Sequence, residues 1–187
     1  YQEFIFGYFQ RKGYQIDVYL STNKLKKKDR KVLIKTYNPI LSSFNKDHPN
    51  KYLSRNQKLD RVIDLCLGKQ TNYDLVLLTR FDLLFKKEFG TVNIKFSKFN
   101  LVSRLSNPKL ICDNFYLFPY SLLPQFSQLV KNNIKKPFHR IKKELYKMKT
   151  KKGKRGRHLI NYILDEKRNI GSLSFYSISR KQINTNS

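Results

Sequence analysis

The sequence predicts one α/β domain with three layers, in which helices cover both faces of a mostly parallel central sheet. Three observations lead to this prediction. A chain of 187 residues suits a single domain with its own hydrophobic core. Apolar residues make up 40% of the chain and are spread along it, as in globular proteins. Helix-like and strand-like apolar patterns also alternate, as they do in βαβ units.

The opening residues predict an amphipathic helix. Phe4, Ile5, Tyr8 and Phe9 have helical spacing from the first turn onwards. Gly13 suits the left-handed backbone position that ends a helix. Because a strand normally feeds such a helix in an α/β protein, we expect a first strand upstream of Tyr1 that this chain lacks.

The next part of the chain predicts two short strands and polar loops. Residues 16–20 are rich in β-branched and aromatic side chains and run into a polar Ser-Thr-Asn sequence. We expect a basic loop over 24–30 and a second strand over 32–34. After an Asn-Pro break, residues 38–53 predict irregular structure.

The clearest helix and the clearest strand follow each other in the middle of the chain. Ser54 is placed to cap a helix whose apolar residues recur at helical spacing from Leu59 to Cys66. The four apolar residues 75–78 lie between polar turns and predict a strand covered on both faces. A strand, a helix and a strand in this order indicate a parallel βαβ unit.

The second half predicts short strands and two further helices. Ser121 and Pro137 are placed to start the helices, and an aromatic run occupies 115–118. Residues 149–157 predict an exposed basic loop. The strand predictions cover four short runs: 101–102, 110–112, 159–164 and 173–179.

The net charge of +26 predicts attraction to polyanions. Residues 131–157 hold 13 of the basic side chains and one acid. Lysine- and asparagine-rich usage is also typical of AT-rich genomes, so charge alone predicts only nonspecific polyanion binding. A nucleic-acid-binding basic domain is the alternative function, although no RNP, KH or zinc-finger pattern occurs.

The sequence contains no motif for several other common enzyme chemistries. There is no P-loop, dinucleotide-binding glycine pattern, nucleophile elbow or zinc spacing. Cys66 and Cys112 stand in apolar runs and are predicted to be buried thiols. No apolar run reaches the ~20 residues of a membrane-spanning helix, which predicts a soluble protein.

The most informative segment is 73–82, YDLVLLTRFD. It predicts a buried strand that ends in Arg80 and Asp82, and open α/β sheets bind ligands at the carboxyl ends of their strands. A carboxylate can hold a hard divalent cation, and an arginine can face a phosphate. Thr22 and Asn23 end an earlier strand, so the same rule predicts that they contact a nucleotide.

The TRFD sequence and three later segments resemble a family of GT-A-type glycosyltransferase-like proteins found in large DNA viruses, algae and bacteria. In that family, a YD-apolar-TRFD segment replaces the usual Asp-x-Asp sequence. The later segments occur here in the same order, across nearly the whole chain. They are 113–118 (DNFYLF), 139–141 (HRI) and 173–180 (LSFYSISR).

The resemblance implies a GT-A-like nucleotide-diphospho-sugar transferase fold over 1–187. The implied activity is transfer of a hexose to a glycan or protein-linked acceptor, assisted by Mn²⁺ or Mg²⁺. Arg80 would face the donor diphosphate, and Asp82 would bind the diphosphate or the metal. His139 is the second implied metal ligand, with His158 as the other candidate.

The acceptor side of the implied site consists of Asp113 and Asn114. Asp113 would act as the catalytic base and Asn114 would bind the acceptor, although a plain Asp-Asn turn explains the pair equally well. The single acid of TRFD also leaves open a catalytically silent sugar-binding domain. The implied location is cytoplasmic, meaning the host cytoplasm if the protein is viral.

Overall fold

The chain contains both helices and β-sheets, which confirms the α/β class at the coarse level. The computed structural model describes residues 5–80, 83–85, 93–103, 111–136, 142–146, 148, 159–164 and 175–177. The helices are α1 (Gly7–Arg11), α2 (Lys27–Tyr37), α3 (Lys51–Gly68), α4 (Leu123–Asn132) and α5 (Lys142–Leu145). The strands are β1 (Tyr19–Asn23), β2 (Leu41–Asn45), β3 (Leu75–Thr79), β4 (Leu83–Phe85), β5 (Phe99–Ser103), β6 (Ile111–Pro119), β7 (Ile160–Leu164) and β8 (Phe175–Ser177).

The largest described sheet is mixed, whereas the sequence predicts a mostly parallel one. Its strand order is β3-β6-β5-β7, and only the β5–β7 pair is parallel. The difference arises because β6 pairs antiparallel with both β5 and β3 and lies between them. β1 and β2 form a separate parallel pair, and β4 and β8 form an antiparallel pair.

The aromatic run of β6 supplies both faces of the sheet, because successive strand residues point to opposite sides. Tyr116 and Phe118 pack into a cluster with α3, α4 and α5. Phe115 and Leu117 pack on the other side, against α1. Helices therefore cover both faces of the four-stranded sheet.

Three sequence predictions for 24–53 are wrong. Residues 27–30 of the predicted basic loop and the predicted strand 32–34 all lie in α2, and the segment predicted to be irregular contains β2. No residue of α2 is buried, so its apolar residues do not mark a core-facing stripe. Val32 is 55% exposed and Ile34 is 38% exposed. Pairing with β1 defines β2, and this contact is invisible in the local sequence.

The ends of several elements match their predicted signals, and others are shifted. Gly13 has a φ of +81° directly after α1, as predicted for a helix-ending glycine. α3 begins earlier than predicted, because the Asn50 side chain caps it by accepting hydrogen bonds from the N–H groups of Tyr52 and Leu53 at 3.0 and 3.1 Å. Among the described residues, no helix combines the length and apolarity needed to span a membrane.

Candidate functional site

β1 and β3 approach each other at their amino ends although they do not pair. At their amino ends, the Tyr19 and Tyr73 hydroxyl groups are 2.6 Å apart, and the Tyr73 hydroxyl donates to Asp17 Oδ2 at 2.6 Å. Further along, Ser21 of β1 and Thr79 of β3 line the same cavity. Both strands therefore border the same cavity.

The described residues predicted to bind the donor lie at the carboxyl ends of β1 and β3. Thr22 is buried and Asn23 half-buried at the end of β1, which starts later than predicted and contains both residues. The Oδ1 atom of Asn23 is buried and has no hydrogen-bond partner within the described part of the chain. A buried acceptor of this kind calls for a partner. Arg80 follows β3 directly and is exposed.

The register of β6 brings the predicted acceptor residues to the end of β3 that Arg80 follows. Thr79 pairs with Phe115, so Asp113 and Asn114 occupy the register positions beyond the end of β3, where the chain continues through Arg80. Both residues lie inside the nine-residue strand β6. The alternative interpretation of this pair as a plain turn is therefore wrong.

The predicted metal ligands fall outside the residues that the structure describes. These are Asp82, His139 and His158, and the basic loop over 149–157 also lies outside. Across the described ranges, no group of three or more His, Cys, Asp or Glu side chains could hold a metal ion. His48 is exposed in the loop before α3, where its Nδ1 accepts the N–H of Asn50 at 3.1 Å.

A cavity of about 670 Å³ separates β1 from β3. Its walls come from α1, α3 and the two strands, and it extends along both strands to Ser21 and Thr79. The cavity borders the candidate site edge, but most of its lining is apolar. It is therefore better suited to apolar side chains than to a sugar or a diphosphate.

Tyr73, which sequence reasoning did not single out, lies at the amino ends of β1 and β3, away from the candidate site residues. Burial raises the pKa of its hydroxyl, and the hydrogen bonds with Asp17 and Tyr19 raise it further. The phenol therefore stays neutral and donates to the carboxylate, which ties the amino ends of β1 and β3 together. Asp74, predicted to be a turn residue, lies in a bend where its C=O accepts the N–H of Tyr120 at 3.0 Å.

The other perturbed groups in the described part of the chain lie on α3 and α4. Burial raises the pKa of Asp60, and repulsion from Asp64 raises it further. Asp64 accepts a hydrogen bond from Lys131 at 2.8 Å. Asp60 Oδ1 is buried and has no hydrogen-bond partner within the described residues. Cys66 is a free half-buried thiol whose pKa is raised mainly by burial.

We expect Asp60→Asn to stabilise the protein at pH 7. Because the folded-state pKa is raised, the ionised carboxylate destabilises the folded state at neutral pH, and this penalty disappears as pH falls through the folded-state pKa. The gain should be about 0.5 kcal/mol, since water screens a partly exposed carboxylate. Urea unfolding at pH 7 and pH 4 measures it. A gain that does not shrink at the lower pH would contradict the assignment.

Comparisons with known proteins identify no relative. The sequence matches no protein-family model, and a search of curated proteins finds no significant match. The functional argument therefore rests on the residues and on where the fold places them.

Proposed function

We propose that this chain is a GT-A-type glycosyltransferase domain. It would transfer a sugar from a nucleotide-diphosphate sugar to a glycan or protein-linked acceptor. The sequence resemblance motivates the proposal, and one structural observation supports it. The β3–β6 register puts Asp113 and Asn114 at the positions next to the end of β3, where Arg80 follows. Thr22 and Asn23 end β1, whose amino end lies beside that of β3.

The chemistry of these residues suits the two substrates. The Arg80 guanidinium would neutralise the diphosphate, which carries the negative charge that develops as the sugar leaves. Thr22 and Asn23 would bind the nucleotide, and the unpartnered Asn23 Oδ1 would accept one of its N–H or O–H groups. Asp113 would take the proton of the attacking acceptor hydroxyl, and Asn114 would hold that acceptor.

A divalent metal belongs to the proposal because of the chemistry of Asp82 and His139. Carboxylate oxygen is a preferred ligand of Mg²⁺, and Mn²⁺ accepts both carboxylate and imidazole. Asp82 would hold the ion together with the donor phosphates, and His139 would supply the second protein ligand. When bound, such an ion stabilises negative charge on the leaving diphosphate.

The GT-A-like fold is also part of the proposal. β1 and β2 are parallel to each other, and the amino end of β1 lies beside that of β3. This arrangement supports a sheet with a parallel half, β2, β1 and β3, and a mixed half that begins at β6.

We expect Arg80→Ala to weaken donor binding about 10- to 100-fold, because a charge-assisted hydrogen bond to phosphate contributes about 1.5–3 kcal/mol. Calorimetric titration of the protein with a panel of nucleotide sugars, with and without Mn²⁺, measures the effect. Lys69→Ala is the matched control, because it removes one exposed positive charge at the end of α3, ahead of the amino end of β3. This control should change the affinity less than twofold.

Two outcomes would contradict the proposal. If Arg80→Ala and Lys69→Ala weaken binding equally, the protein binds the donor only through its general positive charge. If no nucleotide sugar binds while a short RNA binds at physiological salt, the nucleic-acid-binding alternative is favoured instead.

A further inference from the structure

The cavity between β1 and β3 is bordered by two strand edges that no other described strand pairs with. β1 pairs only with β2, and β3 pairs only with β6 among the described strands. At one end, the gap is bridged by side chains, through the hydrogen bond between Tyr19 and Tyr73. Unpaired edges that face each other across an apolar gap are a template for another strand.

The backbone of β1 presents hydrogen-bonding groups to the cavity. Within a strand, the N–H and C=O of one residue point to the same side, and the side alternates along the chain. The C=O of Val18 accepts a hydrogen bond of 2.8 Å from the segment that carries β2. The N–H of Lys24 donates a hydrogen bond of 2.6 Å to the same segment. Even-numbered residues therefore face β2. The residues of β1 that face away from β2 are Tyr19, Ser21 and Asn23.

The same reasoning applies to β3. The C=O of Asp74 accepts from the N–H of Tyr120, and the register continues antiparallel along β6. Val76 and Leu78 therefore direct their backbone groups toward β6. Leu75 and Leu77 direct theirs to the opposite side, and both residues line the cavity. Two rows of backbone donors and acceptors thus border the same space.

The size and lining of the cavity fit one strand. At ordinary strand spacing and layer separation, a five-residue strand takes up roughly 800 Å³, which is close to the 670 Å³ of the cavity. Ile5 and Phe9 line it from the α1 layer, and Ile63 and Leu123 line it from the opposite layer. A strand in this position would place alternate side chains into two apolar layers.

The connection to α1 favours a strand from the same polypeptide. Ile5, just before α1, lies in the wall of the cavity, and β1 follows α1. A strand in the cavity followed by α1 and β1 would form a βαβ unit parallel to β1. Such a crossover needs a dozen or more residues, and residues 5–18 supply fourteen.

We propose that the cavity is the docking site of a β-strand of about five residues, contributed by the same polypeptide upstream of Tyr1. The strand pairs with β1 on one side and with β3 on the other. It joins the β2-β1 pair and the β3-β6-β5-β7 sheet into one sheet of seven strands. This inference concerns sheet assembly and is independent of sugar transfer.

The test is amide hydrogen exchange, measured by NMR on residues 1–187 and on the same chain extended by about 30 upstream residues of its reading frame. We expect the amides of Ser21, Asn23 and Leu77 to exchange about a hundredfold more slowly in the longer chain. Val76 and Leu78 are the internal control, because their amides already face β6. Unchanged exchange at the first three amides would overturn the proposal.

A pair of variants tests whether the Ser21 N–H is used. Ser21→Pro removes that donor, whereas Ser21→Ala removes only the hydroxyl group. In the longer chain, Ser21→Pro should lower Tm by about 5 °C more than Ser21→Ala, and in residues 1–187 the two variants should differ little. An equal difference in both chains would overturn the proposal. The proposal would also be overturned if the protection of these amides from exchange in residues 1–187 rose with protein concentration. A second copy of the chain would then fill the cavity.

Discussion

Replacing Phe126 with alanine should lower the free energy of unfolding by about 3–5 kcal/mol, the range for removing a large aromatic side chain from a core. Phe126 is fully buried on α4. Its ring centroid lies 5.2 Å from those of Phe99 and Phe118 and 5.5 Å from that of Tyr116. The Phe99 and Phe118 rings stack at 4.3 Å. Truncation would leave a void between the helix and the sheet.

Urea unfolding followed by far-UV circular dichroism measures this loss, because the chain contains no tryptophan to serve as a fluorescence probe. Phe126→Leu keeps most of the volume and should cost about 1–1.5 kcal/mol. Val32→Ala, at a side chain that is 55% exposed, should stay within about 0.5 kcal/mol of wild type. A Phe126→Ala loss no larger than that of the Val32 control would contradict the described packing of α4 on the sheet.

Replacing Asn100 with alanine should cost about 3 kcal/mol, because it removes the partner of the buried Leu117 C=O and of part-buried backbone groups of Lys95 and Lys98. Asn100 is fully buried in β5. Its Nδ2 donates to the C=O of Leu117 at 2.9 Å, and to those of Lys95 and Lys98 at 3.0 Å. Its Oδ1 accepts from the Lys95 N–H at 2.9 Å and from Asn161 Nδ2 at 2.8 Å. The side chain therefore fixes the turn before β5 and links β5 to β6 and β7.

The same unfolding experiment tests this prediction, with Asn72→Ala as the matched control. Asn72 is exposed, so its truncation should change stability by less than about 0.5 kcal/mol. Hydrogen exchange adds a local measurement, since the Lys95 amide should lose its protection in Asn100→Ala. Equal stability of the two alanine variants would show that the Asn100 hydrogen bonds do not form.

The elements that the sequence predicted correctly are those whose signals are local. α3 and α4 carry apolar residues at helical spacing, and β3 is a continuous apolar run between polar turns. Gly13 ends α1 because few other residues adopt a positive φ without strain. The sequence also predicted that Arg80 directly follows a strand, because only the end of that apolar run was needed to place it.

Non-local pairing decided the elements and site residues that the sequence could not predict. The apolar run 32–34 has the composition of a strand, yet α2 is a helix with no buried residue. Asn100 gives no sign in the sequence that it is buried, since an asparagine usually marks a turn or a surface. Its burial depends on partners far away in the chain, such as Leu117 and Asn161.

The sequence by itself determined the α/β class, the main helices and strands, and the polar residues at the ends of β1 and β3. Periodicity and turn chemistry suffice for these, because they act over a few neighbouring residues. The tertiary structure alone decided that β6 lies between β3 and β5 and carries residues 113–114 to the edge reached by Arg80. It also decided that an unfilled apolar gap separates β1 from β3. Both depend on pairing between segments distant in sequence, which no local pattern encodes.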